Sequence, residues 1–245
     1  MNLPSEFLQA DWGTYNYTSS ATVNLTENKK LTKPIVIGNG ATLTINNTTG
    51  KALTLSNGQG ATAERMFEIK HGGTLKIHGN ASSTIIIDGG AAFPEWSEEY
   101  GFTADQAAKK LKECIDCYGT LLLKYARIQN VCGTLDNNTG GAINIQSVWN
   151  SGKACGTTTV ENSIITKCMS PTGSALLLGT QNQGNSQTPE NCKVTILNSE
   201  IFNCSSDGGD IFINGYNGGK INGGTLNLKL NDKLRVTNNS SRYGG

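Results

Sequence analysis

Short runs of alternating apolar and polar residues recur along the chain in one order and with one spacing. Ile35-Val36-Ile37 returns 32 residues further on as Phe67-Glu68-Ile69, Ala41-Thr42-Leu43-Thr44-Ile45 as Gly73-Thr74-Leu75-Lys76-Ile77, and Leu53-Thr54-Leu55 as Ile85-Ile86-Ile87. Three β-type runs per period of this length predict a solenoid with three strands per turn, the parallel β-helix. Alternation puts Leu43, Ile45, Leu75 and Ile77 inward and the Thr and Lys between them outward. The second half repeats with a longer period. Thr159-Val160-Glu161-Asn162-Ser163-Ile164-Ile165 aligns with Thr195-Ile196-Leu197-Asn198-Ser199-Glu200-Ile201, and an earlier copy begins at Leu122. Each copy is followed by glycine or serine and an apolar run: Gly141-Ala142-Ile143, Ser174-Ala175-Leu176 and Gly209-Asp210-Ile211. A final turn would use Leu226 to Leu230 and Leu234 to Val236. About six turns at roughly 4.8 Å each give a rod about 30 Å long.

These patterns predict an all-β fold: a right-handed, single-stranded parallel β-helix with one inserted α-helix, the hand following the rule for parallel crossovers. Residues 1–20 are expected to cap the rod, with Leu8, Trp12, Tyr15 and Tyr17 over its first turn. Residues 21–90 form the first turns, 91–117 the helical insertion and 118–245 the remaining turns. The insertion rests on Thr103 and Gln106 as a capping box and on Ala104, Ala107, Ala108, Leu111 and Ile115 at helical spacing, for a helix from about Ala104 to Asp116. It serves either as a lateral brace or as a wall of a ligand groove. Trp96 and Tyr100 in the insertion, and Tyr216 in a Gly/Asn-rich loop, are the candidate ligand-binding residues, because aromatic faces stack on sugar rings.

Composition narrows the function classes. The chain has 245 residues, 30 glycines and only 5 prolines, and its net charge is +1. That suits one elongated domain and gives no electrostatic argument for nucleic acid or an anionic membrane. No apolar run is long enough to span a membrane. Met1 to Ser5 lacks the pattern of a signal peptide, and no capping helix closes the C-terminal end, so the native chain is expected to continue beyond this stretch.

Seven cysteines leave at least one unpaired. Cys168 and Cys204 share a repeat position that Val131 fills one turn earlier, so they are expected to stack inside as small hydrophobes or to approach disulfide range. Cys114-Ile115-Asp116-Cys117 has half of a zinc-site spacing without a second half, and the two histidines, His71 and His78, lie in another turn. No metal or cofactor is expected. Asn162 and Asn198 are register-matched, which suggests an internal asparagine ladder at a corner. Catalytic candidates are thin: Arg127 on an outward strand position, and Asp207 and Asp210 at one corner, where Asp and Gly are also ordinary turn residues.

Gly140-Gly141-Ala142-Ile143, and more loosely Gly173-Ser174-Ala175-Leu176 and Gly208-Gly209-Asp210-Ile211, resemble the Gly-Gly-Ala-Ile strand starts of the chlamydial polymorphic membrane protein repeats. Ile128 to Val131, Ile165 to Cys168 and Ile201 to Cys204 replace the Phe-x-x-Asn corner of that family. The Thr-Leu-Thr-Ile and Thr-Leu-Lys-Ile strands resemble extracellular β-helix proteins of gut bacteria. The resemblance implies a secreted or surface-displayed bacterial adhesion module that binds a glycan or protein ligand without catalysis. The same fold also hosts polysaccharide lyases and glycoside hydrolases, which keeps a carbohydrate-active enzyme as the alternative; a structural stalk is a third reading.

Overall fold

The computed structural model describes residues 9–60, 64–92, 111, 113–133, 141–146, 157–170, 173–180, 193–206, 211–215, 227–230, 235–237 and 240–241. They form a parallel β-helix with three sheets, each receiving one strand per turn. The first sheet stacks Ala10–Asp11, Lys29–Leu31, Leu53–Asn57, Ile85–Asp88, Ala126–Cys132, Ile164–Ser170, Glu200–Phe202 and Arg235–Thr237, with Ser205–Ser206 and Ser240–Ser241 beside that path. The second stacks Asn16–Tyr17, Ile35–Ile37, Phe67–Ile69, Ile115–Cys117, Ile143–Gln146, Leu176–Thr180 and Ile211–Gly215. The third stacks Ala21–Leu25, Thr42–Asn47, Thr74–His78, Thr120–Lys124, Thr157–Glu161, Lys193–Leu197 and Asn227–Leu230.

The paired registers follow the repeat alignment. Ile35 lies over Phe67, Leu43 over Leu75, Leu53 over Ile85 and Ile165 over Ile201. The inward column is almost wholly aliphatic and fully buried: Ile37, Leu43, Ile45, Leu55, Ile69, Leu75, Ile77, Ile85, Leu121 and Ile143 show no exposure. Each apolar side chain packs on its counterpart one turn away, and that stacked burial is the main driving force for the fold. Among the described residues, seven strands in each of the second and third sheets make seven turns, one more than expected. The difference lies at the start. Ala10–Asp11 pairs with Lys29–Lys30 and Asn16–Tyr17 with Val36–Ile37, so the first ladder begins at Ala10 and Tyr17 is part of it.

The corners of the second half share one backbone device. Tyr125, Asn162 and Asn198 have φ of 49°, 50° and 51°, and Asn130, Lys167 and Asn203 have 55°, 51° and 53°. Two columns of left-handed residues therefore bend successive turns at the same two places, and asparagine tolerates that conformation better than most residues. The expected internal asparagine ladder is corrected here. Asn162 is half-buried and Asn198 exposed, whereas the following serines are buried. Ala126 N–H donates to Ser163 Oγ at 3.0 Å, and Ser163 N–H donates to Ser199 Oγ at 3.2 Å. Asparagine supplies the turn and serine the internal ladder. Buried asparagines do occur at corners of the first half, where Asn47 donates to the carbonyls of Lys51 and Thr84 and Asn57 to that of Gly89.

The C-terminal part of the predicted helix is also corrected. Ile115–Cys117 is a strand between Phe67–Ile69 and Ile143–Ile145, and Leu111 forms a parallel bridge with Gly133. Ile115 and Cys117 fill inward slots that Phe67 and Ile69 define one turn earlier, and this ladder overrides the local helical spacing. Residues 104–110 and 112 lie outside the described residues. No helix among the described residues is long and apolar enough to cross a membrane.

Candidate functional site

Three outer faces carry the chemistry of the rod. The richest in threonine belongs to the third sheet. Thr42, Thr74, Thr120 and Thr157 occupy one column on four successive turns, and all four are half-buried. Ser20 stands at the head of this column, its Oγ accepting the N–H of Thr42. A second column runs Thr22, Thr44, Lys76, Leu122, Thr159 and Thr195, and a third runs Asn24, Asn46, His78, Lys124 and Glu161. β-Branched threonines favour this strand surface and present hydroxyls at the roughly 4.8 Å repeat of the sheet. The third column is cross-linked along the rod: Asn46 donates to Asn24 at 3.0 Å, and Lys124 pairs with Glu161 at 3.4 Å. His78 is held below its ordinary pKa, chiefly by burial and then by the positive charges of Lys76 and Lys124.

The outer face of the second sheet is different. Glu68, Asp116, Asn144 and Leu177 form its central column, and Asp116, Asn144 and Leu177 are each only 1% exposed although they point away from the core. Arg65 enters this face from the preceding corner. Its guanidinium meets Asp116 at 2.5 Å, Glu113 at 3.2 Å, Glu64 at 3.3 Å and Glu68 at 3.4 Å. Glu68 also pairs with Lys70. Burial opposes the charge on Arg65, but Asp116, Glu113, Glu68 and Glu64 together hold its pKa above the ordinary value. Tyr118, next to this group, has its hydroxyl pKa pushed up by burial and by the charge of Asp116. Neither side-chain polar atom of Asn144 has a hydrogen-bond partner.

Along the chain, the long connections are those that precede and follow the strands of this second sheet. Residues 89–114 and 133–142 lead into its strands, and residues 147–156, 181–192 and 216–226 leave them. The corners between the third and first sheets are short by contrast: Tyr125, Asn162–Ser163 and Asn198–Ser199. Trp96 and Tyr100 fall in the connection entering Ile115–Cys117, Asp207 and Asp210 in that entering Ile211–Gly215, and Tyr216 in that leaving it. All five lie outside the described residues.

Arg127 is described, and it stands on the first sheet. It occupies the outward column Thr54, Ile86, Arg127, Ile164, Glu200. Register therefore separates Arg127 from Arg65, Asp116 and Asn144, which share the second face. Sequence reasoning did not single out Arg65, Glu113, Asp116 and Asn144 as a site. Their signal was the outward slot of Phe67-Glu68-Ile69, which the register extends to Asp116 and Asn144.

The cysteines among the described residues are structural. Cys114, Cys117, Cys132, Cys168 and Cys204 are all buried. Val131 and Cys168 are register partners, and Cys204 adjoins Cys168 one turn on. Burial is the leading cause that raises the thiol pKa of Cys114, of Cys168 and of Cys117, the last to about 12. Protonated thiols inside an aliphatic column are neither nucleophiles nor metal ligands. Among the described residues no group of three or more His, Cys, Asp or Glu is placed to hold a metal ion. Compared with protein-family models, curated proteins and solved structures, the chain finds no match.

Proposed function

We propose that the protein is a non-enzymatic, secreted or cell-surface β-helix of adhesin type that binds a glycan or protein ligand along the third sheet. The observation that carries this reading is the threonine column Thr42, Thr74, Thr120 and Thr157, flanked by Thr22, Thr44 and Thr159. A mostly uncharged ladder of hydroxyls at sheet spacing offers one donor and two acceptors per turn to an extended polymer or to another β-surface. Within the described residues the single carboxylate on these columns, Glu161, is paired with Lys124, so the face offers positioning rather than acid–base chemistry.

The alternative, a carbohydrate-active enzyme, is supported by one observation: Glu113 and Asp116 are buried beside Arg65 on the second face. Paired carboxylates are what glycoside hydrolysis requires. A paired screen on a polysaccharide and mucin panel separates the two readings, with one arm following retention and the other new reducing ends or unsaturated products. Binding on the third sheet predicts retention without products, and its loss in Thr120→Arg at unchanged melting temperature. Products would sink the adhesin reading and direct attention to Glu113 and Asp116. Undiminished retention by Thr120→Arg would move the binding face elsewhere on the rod.

A further inference from the structure

Arg127 projects from the first sheet, half-buried, with no hydrogen bond or ion pair to its guanidinium among the described residues, and its Nε is shielded from solvent and unpartnered. A buried guanidinium N–H without an acceptor is costly, and arginines in such positions normally hold a carboxylate. Among the described residues, the nearby carboxylates are either engaged or distant. Asp88, on the preceding turn, accepts from Gln129 Nε2 at 2.8 Å and Asn130 Nδ2 at 3.0 Å through one oxygen, and from Gly90 N–H at 2.8 Å through the other. Glu161 pairs with Lys124 and accepts from Asn162. Glu200 lies two turns from Arg127 along its column and is exposed.

The following turn supplies a second orphan. Thr166 is fully buried on the same outer face, and its Oγ1 has no partner. Its register neighbour Gln129 is drawn the other way, toward Asp88, so it leaves Thr166 without an amide to bond. Arg127 pairs in register with Ile164, two residues before Thr166, so the two orphans are diagonal neighbours on adjacent turns. That diagonal is about 7–8 Å between backbones, within the reach of an arginine side chain. Ile86 and Ile164 flank Arg127 on either side and lower the local dielectric.

We propose that Arg127 and Thr166 form a site for one oxyanion, the carboxylate or sulfate of an acidic saccharide. The Nε–H of Arg127 and the O–H of Thr166 converge on the same group from neighbouring turns, and the guanidinium charge balances it. This site is on the first sheet and does not depend on the threonine face.

The test follows the Arg127 Nε–H signal of the full ¹⁵N-labelled chain by NMR at constant ionic strength. The probes are sodium glucuronate, sodium sulfate and neutral glucose. The proposal expects a saturable shift with glucuronate or sulfate and none with glucose; a stronger response to glucuronate assigns a uronic acid, and a stronger response to sulfate a sulfated saccharide. Thr166→Val should weaken the binding at least tenfold without changing the spectrum elsewhere. Arg127→Lys, which keeps the charge but lacks the Nε–H, should abolish protection of the variant by glucuronate or sulfate in a thermal-shift assay. The proposal is overturned if neither anion saturates the signal, or if Thr166→Val binds as tightly as the parent.

Discussion

Ser163 N–H donates to the Oγ of Ser199 on the next turn, while Ser163 Oγ accepts the N–H of Ala126 on the turn before. Each hydroxyl also donates to the carbonyl two residues before it, that of Glu161 for Ser163 and of Leu197 for Ser199. The two serines thus tie three turns together at a corner where the strand hydrogen bonds are interrupted. Ser163→Ala removes the acceptor of the Ala126 N–H, in a place where water has little access. The expected loss is about 1–3 kcal/mol, the cost of an unsatisfied buried donor, read as a lower urea midpoint. An unchanged midpoint would mean that the corner opens to water and the ladder adds nothing.

The repeat was legible because the solenoid writes its registers into the chain. Ile35 over Phe67 and Ile165 over Ile201 follow from alignment of the sequence with itself. What the repeat conceals is anything that depends on contacts outside it. Ile115 fits a helix by spacing and a strand by stacking, and the neighbours that decide between them, Phe67 and Ile143, are distant in sequence. Asn162 and Ser163 are adjacent and both recur, so periodicity alone does not tell which one faces inward; the positive φ of Asn162 turns its side chain out. Arg65 was invisible as a hub because its partners Glu113 and Asp116 come 48 and 51 residues later (65 to 113 and 65 to 116). The outward slot of Arg127 was readable, since alternation places it there, but its lack of a partner depends on Asp88 being occupied.

The buried thiols predict a chemical signature. Cys114, Cys117, Cys132, Cys168 and Cys204 should resist an aromatic disulfide reagent in the native state, and all seven cysteines of the chain should react in denaturant. Burial raises the Cys117 pKa from 9.0 to about 12 and raises Cys114 and Cys168 as well. The folded chain therefore keeps these protons where the unfolded chain releases them. Stability is fully present below pH 9 and declines as pH rises above it toward 12. Melting temperature measured from pH 8 to 11 should fall, and Cys117→Ala should fall less steeply. Rapid labelling of native protein at Cys168 would contradict the buried placement.

His78 predicts the opposite limb. Its folded-state pKa is depressed, first by burial and then by Lys76 and Lys124. The unfolded chain takes up the proton near pH 6.5, and the folded chain takes it up only at lower pH. This contribution to stability is present above pH 6.5 and is lost as pH falls through the folded value. His78→Gln should flatten the decline in melting temperature between pH 7 and 5. An NMR titration of His78 with a midpoint at or above 6.5 would remove the basis for this expectation.

Arg65 and Asn144 lie on one face, yet their substitution should act in opposite directions. Arg65 compensates the buried charges of Glu113 and Asp116, and Arg65→Leu leaves them beside an apolar group. Breaking a buried ion network in this way costs about 3–5 kcal/mol. Asn144 is as deeply buried, but its amide has no hydrogen-bond partner, so Asn144→Leu discards an unmet desolvation cost in a side chain of the same branched shape and places an aliphatic group against Leu177. Stability should rise by about 1–2 kcal/mol. Urea titration of the two variants measures both effects under the same conditions. A loss in Asn144→Leu comparable to that in Arg65→Leu would show that the amide holds a water or a ligand group, which would make the second face a binding surface in its own right.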